Sequence, residues 1–300
     1  MPFVYAFVDV GTKFRTQRSR RNQKEHEPKA FVRDGSLKHY FCSTGAINED
    51  NNETKHSMRI ITTILVLLFF LNNVSGQNGG SNLKITRLTG EFYVFTTFNS
   101  YKGKLVPANG MYLVTDNGVV MFDTPWDTTQ FQPLLDSIKN RHHKKVVLCI
   151  ATHFHEDRTA GLQYYSQQGI KTYTTRQTDE LSKKRAMKRA EFLMDKDTVF
   201  TVGQYSFQTY FPGAGHAPDN IVIWFEKEKI LYGGCLIKSV EAHDLGNLSD
   251  ANVKQYATTI KNVQAKCKQP QYIITGHDNW TDTNSVNHTL QMAQQLSKKN

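Results

Sequence analysis

The stretch "ATHFHEDRTA", residues 151–160, sets His153, His155 and Asp157 on alternating positions directly behind the apolar run "VVLCI". In extended chain, positions i and i+2 project to the same side, so these three side chains can converge. Imidazole nitrogen, carboxylate oxygen and thiolate sulfur are the donors that hold zinc. Three more candidates stand in the same kind of setting. His216 lies in "GAGHAPDN", a Gly-flanked turn before an apolar strand; Cys235 closes "LYGGC"; His277 follows a strand in "ITGHDN". Each candidate sits at a strand mouth with glycine nearby, where tight turns and close backbone approach are needed. One such histidine is ordinarily just solvated, but the repeated context points to a binuclear metal centre. His142, His143, His243 and His288 lack that context and are not assigned to it.

The elements that must position these donors can be read from periodicity and turn signals. "KITRLTGEFYVFTTF" and "MYLVTDNGVVMFDTPW" read as strands, the second as a hairpin with Asn-Gly at its turn, and the polar stretch "NSYKGKLVPANG" between them reads as a loop. Asp127 is a candidate N-cap for a helix through about residue 140. "KVVLCI" is a buried strand, followed by helices at 158–167 and 176–190 flanking a strand at 170–174. "TVFTV", "YSFQTYF", "NIVIWFE" and "KILYGGCLI" make a second strand-rich half, closed by helix 250–266, strand 271–274 and helix 284–297. The order strands, αβα, strands, αβα predicts a four-layer sandwich, two facing sheets with helices outside.

The net charge of +10 does not mark a nucleic-acid binder. Residues 1–76 carry 11 Lys+Arg and 7 Asp+Glu, which leaves 26 against 20 spread along the rest. The one basic cluster, "KKRAMKR" at 183–189, reads as a solvated helix, and a mildly basic surface favours small anionic substrates. Met58–Gln77 has a positive residue at Arg59, an apolar run Ile60–Leu71, then the small residues Ser75 and Gly76. A 12-residue run is too short to span a bilayer comfortably, which takes about 20 residues. It fits a signal peptide at 58–76, giving a secreted, periplasmic enzyme at 77–300. Residues 1–57 are then expected to be a non-native extension upstream of a true start at Met58; an internal anchor with a short tail is the alternative. After residue 77 the cysteines are Cys149, Cys235 and Cys267, an odd number, so at least one thiol stays unpaired.

Taken together, "DTPW", "THFHEDRTAGL", "GHAPDNIVIW", "GGCLIK", "LGNLSDA" and "GHDNW" resemble the metallo-β-lactamases, in particular those pairing a three-histidine zinc site with an Asp-Cys-His zinc site. The resemblance implies the αββα fold, with His153, His155 and His216 on one zinc and Asp157, Cys235 and His277 on a second. Three protein ligands per ion leave a position open for water, which favours catalysis over a closed structural site. Acidified by zinc, that water would act as hydroxide on the β-lactam amide of penicillins, cephalosporins and carbapenems, conferring antibiotic resistance. Asp157 would also orient the nucleophile, and Lys238 would take the substrate carboxylate. Asn247, beside Gly246, either donates towards the carbonyl oxygen or simply forms a turn. The loop 99–109, carrying Tyr101, Leu105 and Val106, resembles a mobile flap over the substrate, with Trp126 of "DTPW" also against it. Asp123 is expected to bond a ligand or the metal-bound water, or else to cap a turn.

Glyoxalase II-like and RNase Z-like relatives of this fold typically carry another histidine where Arg158 stands and a bridging aspartate where Cys235 stands. Those two letters argue against thioester or phosphodiester substrates. Arg158 is either a solvated charge or a group orienting Asp157 or Cys235. The sequence has no Gly-x-Ser-x-Gly elbow after residue 77, so a covalent acyl-enzyme of that kind is not indicated. Nothing in the chain demands an oligomer, and a monomer is expected.

Overall fold

A computed structural model describes Tyr5–Phe7 and residues 83–299. The expected signal peptide, and the N-terminal extension apart from Tyr5–Phe7, lie outside the described residues. The strands are β1 (Tyr5–Phe7), β2 (Leu83–Thr89), β3 (Phe92–Tyr101), β4 (Lys104–Thr115), β5 (Gly118–Phe122), β6 (Val146–Ile150), β7 (Lys171–Thr175), β8 (Phe192–Met194), β9 (Val199–Val202), β10 (Tyr205–Tyr210), β11 (Val222–Phe225), β12 (Ile230–Gly234) and β13 (Tyr272–Thr275). The helices are α1 (Phe131–His142), α2 (Glu156–Thr159), α3 (Leu162–Gln167), α4 (Arg176–Lys184), α5 (Val253–Lys266) and α6 (Ser285–Lys299). One sheet runs β2-β3-β4-β5-β6-β7-β8 and the other β1-β9-β10-β11-β12-β13.

Alternation along the strands builds the expected layers. In β5, Val120 and Phe122 face the opposite sheet, while Val119 and Met121 face Phe131, Leu134 and Ile138 of α1. In β11, Ile223 and Phe225 join the inter-sheet core, while Val222 and Trp224 pack with Tyr256, Ile260 and Val263 of α5. Each sheet therefore buries both faces, and the strands near the centre read as continuous apolar runs. That is the αββα sandwich the element order predicts.

Three local expectations change. The presumed loop at 99–109 is the end of a β-hairpin, with β3 paired to β4 as far as Tyr101 and Lys104. Its two-residue turn, Lys102-Gly103, has φ of +50° and +75°, the combination that continues the right-handed strand twist. Pro107 disguised this strand, because proline donates no ladder hydrogen bond and is tolerated only where β4 has a free edge. Secondly, the helix expected at 176–190 stops at Lys184: Ala186 turns at φ +55° and Met187 N donates to Ser182 O at 2.8 Å. Arg189 then grips Asp179 with two bonds of 2.7 and 2.8 Å, folding the segment back on the helix. The basic run is thus a helix end and a loop. Finally, the helix expected at 158–167 divides into α2 and α3 around Ala160-Gly161, where Gly161 N donates to Thr124 Oγ1.

Candidate metal centre

β5, β6, β12 and β13 run in parallel pairs, and the donors lie beyond their C-terminal ends. After β6, Thr152 is anchored to Asp123, its N–H donating to Oδ1 at 2.7 Å and its hydroxyl to Oδ2 at 2.9 Å. The chain stays extended to His155 (φ −63°, ψ 151°), which opens α2. His153 and His155 therefore converge as the i, i+2 spacing predicts, while Asp157 arrives from the first turn of α2 instead of continuing the alternation. His216 is held by the turn around Asn220, whose Oδ1 accepts from Gly215 N and Ala217 N. Gly276 allows the turn after β13 to press on the turn after β12; a Cβ there would meet Cys235 N at 2.6 Å.

His153 Nε2 lies 3.1 Å from His155 Nδ1, which lies 3.1 Å from His216 Nε2. All three nitrogens fall within 4.8 Å of one another. Burial, reinforced by neighbouring positive charge, holds the pKa of His153 and of His216 well below 6.5. Both rings are thus neutral, the form in which an imidazole nitrogen can take a metal. A tetrahedral zinc with Zn–N of about 2.0–2.1 Å has ligand–ligand edges of roughly 3.3 Å, close to the spacing seen.

The other group is as compact. Cys235 Sγ is 3.3 Å from Asp157 Oδ2 and 3.3 Å from His277 Nε2, and those two atoms are 3.1 Å apart. His153, Asp157 and Cys235 also fall within 4.8 Å, so the two groups adjoin. Burial disfavours charge on His277, but Cys235 and the Asp157 carboxylate outweigh it and push the pKa up to about 10. The groups that draw a proton to His277 here are ones that would also draw a metal cation. The donor chemistry and the spacing both fit a nitrogen-only zinc site beside a softer, thiolate-containing one.

Arg158 is buried, with 1% exposure, and is not a solvated charge. Its Nε and Nη2 lie 3.1 and 3.0 Å from Asp157 Oδ2, and its Nη1 and Nη2 donate to Asn109 O at 2.6 Å and Gly276 O at 2.8 Å. The guanidinium thus orients Asp157, holding its carboxyl well below the usual range against the opposing effect of burial. Asp123 departs from expectation: its carboxylate bonds Thr152, Tyr232 Oη at 2.7 Å and Arg158 Nη1 at 3.4 Å. It bonds no donor side chain and works one step further back, because Thr152 and Tyr232 take its oxygens; burial raises its pKa. Its own φ of +61° is unusual for a non-glycine residue.

Several positioning residues were not found by sequence reasoning. Asn109 donates to Thr275 O and Asp278 O, and Pro107 O accepts from His277 Nδ1 at 2.7 Å, so β4 aims the His277 ring. Asp250 Oδ2 lies 3.2 Å from His155 Nε2, and Arg185 lies 2.7 Å from the other oxygen. Asp250 stands inside "LGNLSDA", which was its one available signal.

A cavity of about 660 Å³ opens over the two groups, within the range of small-molecule sites. Lys238, Asn247, Tyr101, Val106 and Trp126 all line it. Lys238 is half-buried, and burial lowers its pKa. Asn247 Oδ1 accepts from Ser249 N to make a turn, and its Nδ2 has no partner among the described residues. Tyr101 packs 5.9 Å from Trp126, and Leu105 at the hairpin tip is 64% exposed. Cys149 and Cys267 are buried free thiols away from the donors.

Comparison with known proteins agrees with this geometry. Residues 103–277 match the metallo-beta-lactamase superfamily. The chain is 43% identical over 227 residues to the metallo-beta-lactamase type 2 of Elizabethkingia meningoseptica, spanning 76% of this chain and 91% of that protein. It is 43% identical over 207 residues to metallo-beta-lactamase IND-1 of Chryseobacterium indologenes, spanning 69% and 85%. Among solved structures, a metallo-beta-lactamase from Pontibacter korlensis superposes with a TM-score of 0.69 at 32% identity, covering 71% of this chain and 99% of the other. Metallo-beta-lactamase IND-7 gives 0.69 at 41% identity, covering 71% and 98%.

Proposed function

The chain belongs to the metallo-beta-lactamase superfamily and is a β-lactam-hydrolysing metalloenzyme, and we propose that it works with two zinc ions, one on His153, His155 and His216 and one on Asp157, Cys235 and His277. The observation that carries this reading is the gathering of six donors, from four separate loops, into two adjoining three-atom clusters. Zinc bound there supplies an acidified water and a Lewis acid for the lactam carbonyl.

The chain's own residues hold and orient the substrate. Lys238 Nζ has no carboxylate partner among the described residues and faces the cavity, where it takes the carboxylate of a β-lactam. Partial desolvation strengthens that ion pair. Asn247 Nδ2 donates to the lactam carbonyl oxygen as charge develops on it. Asp157 uses Oδ2 toward Arg158, Cys235 and His277, and its Oδ1, with no side-chain partner among the described residues, is the atom we assign to orienting the attacking water. Tyr101, Val106 and Leu105 on the β3–β4 hairpin, with Trp126 beneath, close over the substrate's apolar flank and exclude bulk water.

Penicillin, cephalosporin and carbapenem hydrolysis by the full chain, with and without a chelator, tests the reading. Turnover that survives chelation, or fails to return with added zinc, refutes it. Metal analysis should give two zinc ions per chain. We also propose a signal peptide at 58–76, a mature periplasmic enzyme at 77–300, a non-native segment at 1–57, and a monomer. No helix among the described residues is long and apolar enough to cross a membrane. The N-terminus of the exported protein, read by mass spectrometry, and its mass in solution check these points.

A further inference from the structure

The three histidines differ in what holds their outer nitrogens. His153 Nδ1 has Thr152 Oγ1 at 3.4 Å, and His216 Nδ1 is buried with no hydrogen-bond partner among the described residues. His155 turns Nδ1 to its neighbours, and its Nε2 meets an anion, Asp250 Oδ2 at 3.2 Å. That carboxylate is gripped from the far side as well, by Arg185 Nη2 on Oδ1 at 2.7 Å. We infer that Arg185 is a positioning residue for the three-histidine site: it fixes the Asp250 carboxylate, which in turn fixes the ring orientation and tautomer of His155. This rests on the assignment of His155 to a zinc.

The two ends of the contact come from separate parts of the chain. Asp250 belongs to a connection, 239–252, shaped by local turns: Asp244 Oδ1 accepts from Gly246 N, Asn247 Oδ1 accepts from Ser249 N, and Gly246 sits at φ +73°. Ser249 Oγ adds one bond of 3.3 Å to Asp250 Oδ2, from the same connection. Arg185 comes from elsewhere and is anchored. Its N–H closes α4 on Leu181 O at 2.9 Å, and the turn behind it is pinned by the bonds of Met187 to Ser182 and of Arg189 to Asp179. The Arg185 guanidinium, reaching across from the end of α4, gives the Asp250 carboxylate a contact from outside its own connection. Exposed ion pairs are ordinarily worth little, but here the carboxylate is 16% exposed and carries a second bond to a metal-ligating ring. A histidine that ligates through Nδ1 must carry its proton on Nε2, and an oriented anion there selects that tautomer.

The test measures metal affinity, not turnover. In the full chain, zinc binding is followed by chelator competition. Cobalt(II) substitution separates the sites, since thiolate-to-metal charge transfer reports Cys235 and ligand-field bands report the three histidines. Arg185→Ala should weaken the three-histidine site about fivefold, the upper end for a partly exposed pair. Asp250→Ala should weaken it about 10–100-fold, and Arg185→Lys should recover part of the loss. In the Asp250→Ala background, Arg185→Ala should add nothing, because its effect passes through that carboxylate. The thiolate band should titrate as in the parent throughout. An unchanged three-histidine affinity in Arg185→Ala overturns the inference. So does an equal loss at both sites, or the same loss with Asp250 already absent. A parent protein that binds no metal would instead refute the zinc assignment.

Discussion

Removing Arg158 is the sharpest test of how the centre is built. Arg158→Ala deletes a buried cation whose bonds to Asp157 Oδ2, Asn109 O and Gly276 O lie between 2.6 and 3.1 Å. It leaves the Asp157 and Asp123 carboxyls buried without their counter-charge. Breaking one side of a buried ion pair costs about 3–5 kcal/mol. For a domain of this size that is a fall in melting temperature of roughly 6–20 °C, at about 2–4 °C per kcal/mol. The assay is denaturant unfolding of metal-free protein, read by tryptophan fluorescence and circular dichroism. The pH dependence supplies a second arm. In the parent, Asp157 has a depressed pKa, so its contribution is present above the ordinary value of 3.8 and is lost as pH falls through the folded value. In the variant the contribution of Arg158 is gone and that pKa moves up, although His277 still lowers it, so part of the stability present above 3.8 is lost and none of it below the folded value. The deficit should therefore be largest at neutral pH and narrow as the solution is acidified. A variant within about 1 kcal/mol of the parent at pH 7, or a deficit that grows on acidification, refutes the reasoning.

Three further outcomes follow from the same contacts. Lys238→Ala should cut kcat/KM for β-lactams about 10–100-fold, the worth of a hydrogen bond to a charged group, with no change in melting temperature beyond about 2 °C. Tyr232→Phe removes the hydroxyl that bonds Asp123 at 2.7 Å and Asn109 O at 3.0 Å, and should cost about 1–3 kcal/mol in unfolding free energy. The raised pKa of His277, about 10, adds stability to metal-free protein below the ordinary value of 6.5, and this is lost as pH rises through 10. Loading the Asp-Cys-His site near pH 7 should accordingly release the His277 proton, seen by calorimetry in buffers of different ionisation enthalpy; no dependence on buffer would refute it.

The donors were legible because metal chemistry restricts residue types and strand mouths restrict their placement. His153, His155, His216, Cys235 and His277 each announced themselves by type and by a neighbouring turn. The layered fold was legible for a related reason: Val119 to Phe122 and Val222 to Phe225 are apolar on both faces, which only a covered sheet allows. What holds the donors was harder to read. Asn109 and Tyr232 look like ordinary strand residues, and their role exists only once β4, β12 and β13 are side by side. Asp250 lies 95 positions from His155, a separation across which no local pattern carries information. The β3–β4 hairpin was concealed by Pro107, whose missing N–H matters little on a free edge.

The supporting contacts also show how the charged groups around the donors are compensated. Four carboxylate and thiolate donors or supports, Asp123, Asp157, Asp250 and Cys235, surround the three-histidine and Asp-Cys-His clusters, and each needs compensation if it is to stay buried. Arg158 answers Asp157 and Asp123, Arg185 answers Asp250, and the protonated His277 answers Cys235. A guanidinium suits the first position better than an amine would, since it reaches the Asp157 carboxylate and the Asn109 and Gly276 carbonyls at once. Those two carbonyls belong to β4 and to the turn after β13, so one side chain joins α2 to both sheets directly behind the site. The Asp157 carboxylate is thereby fixed from α2, β4 and the turn after β13 together.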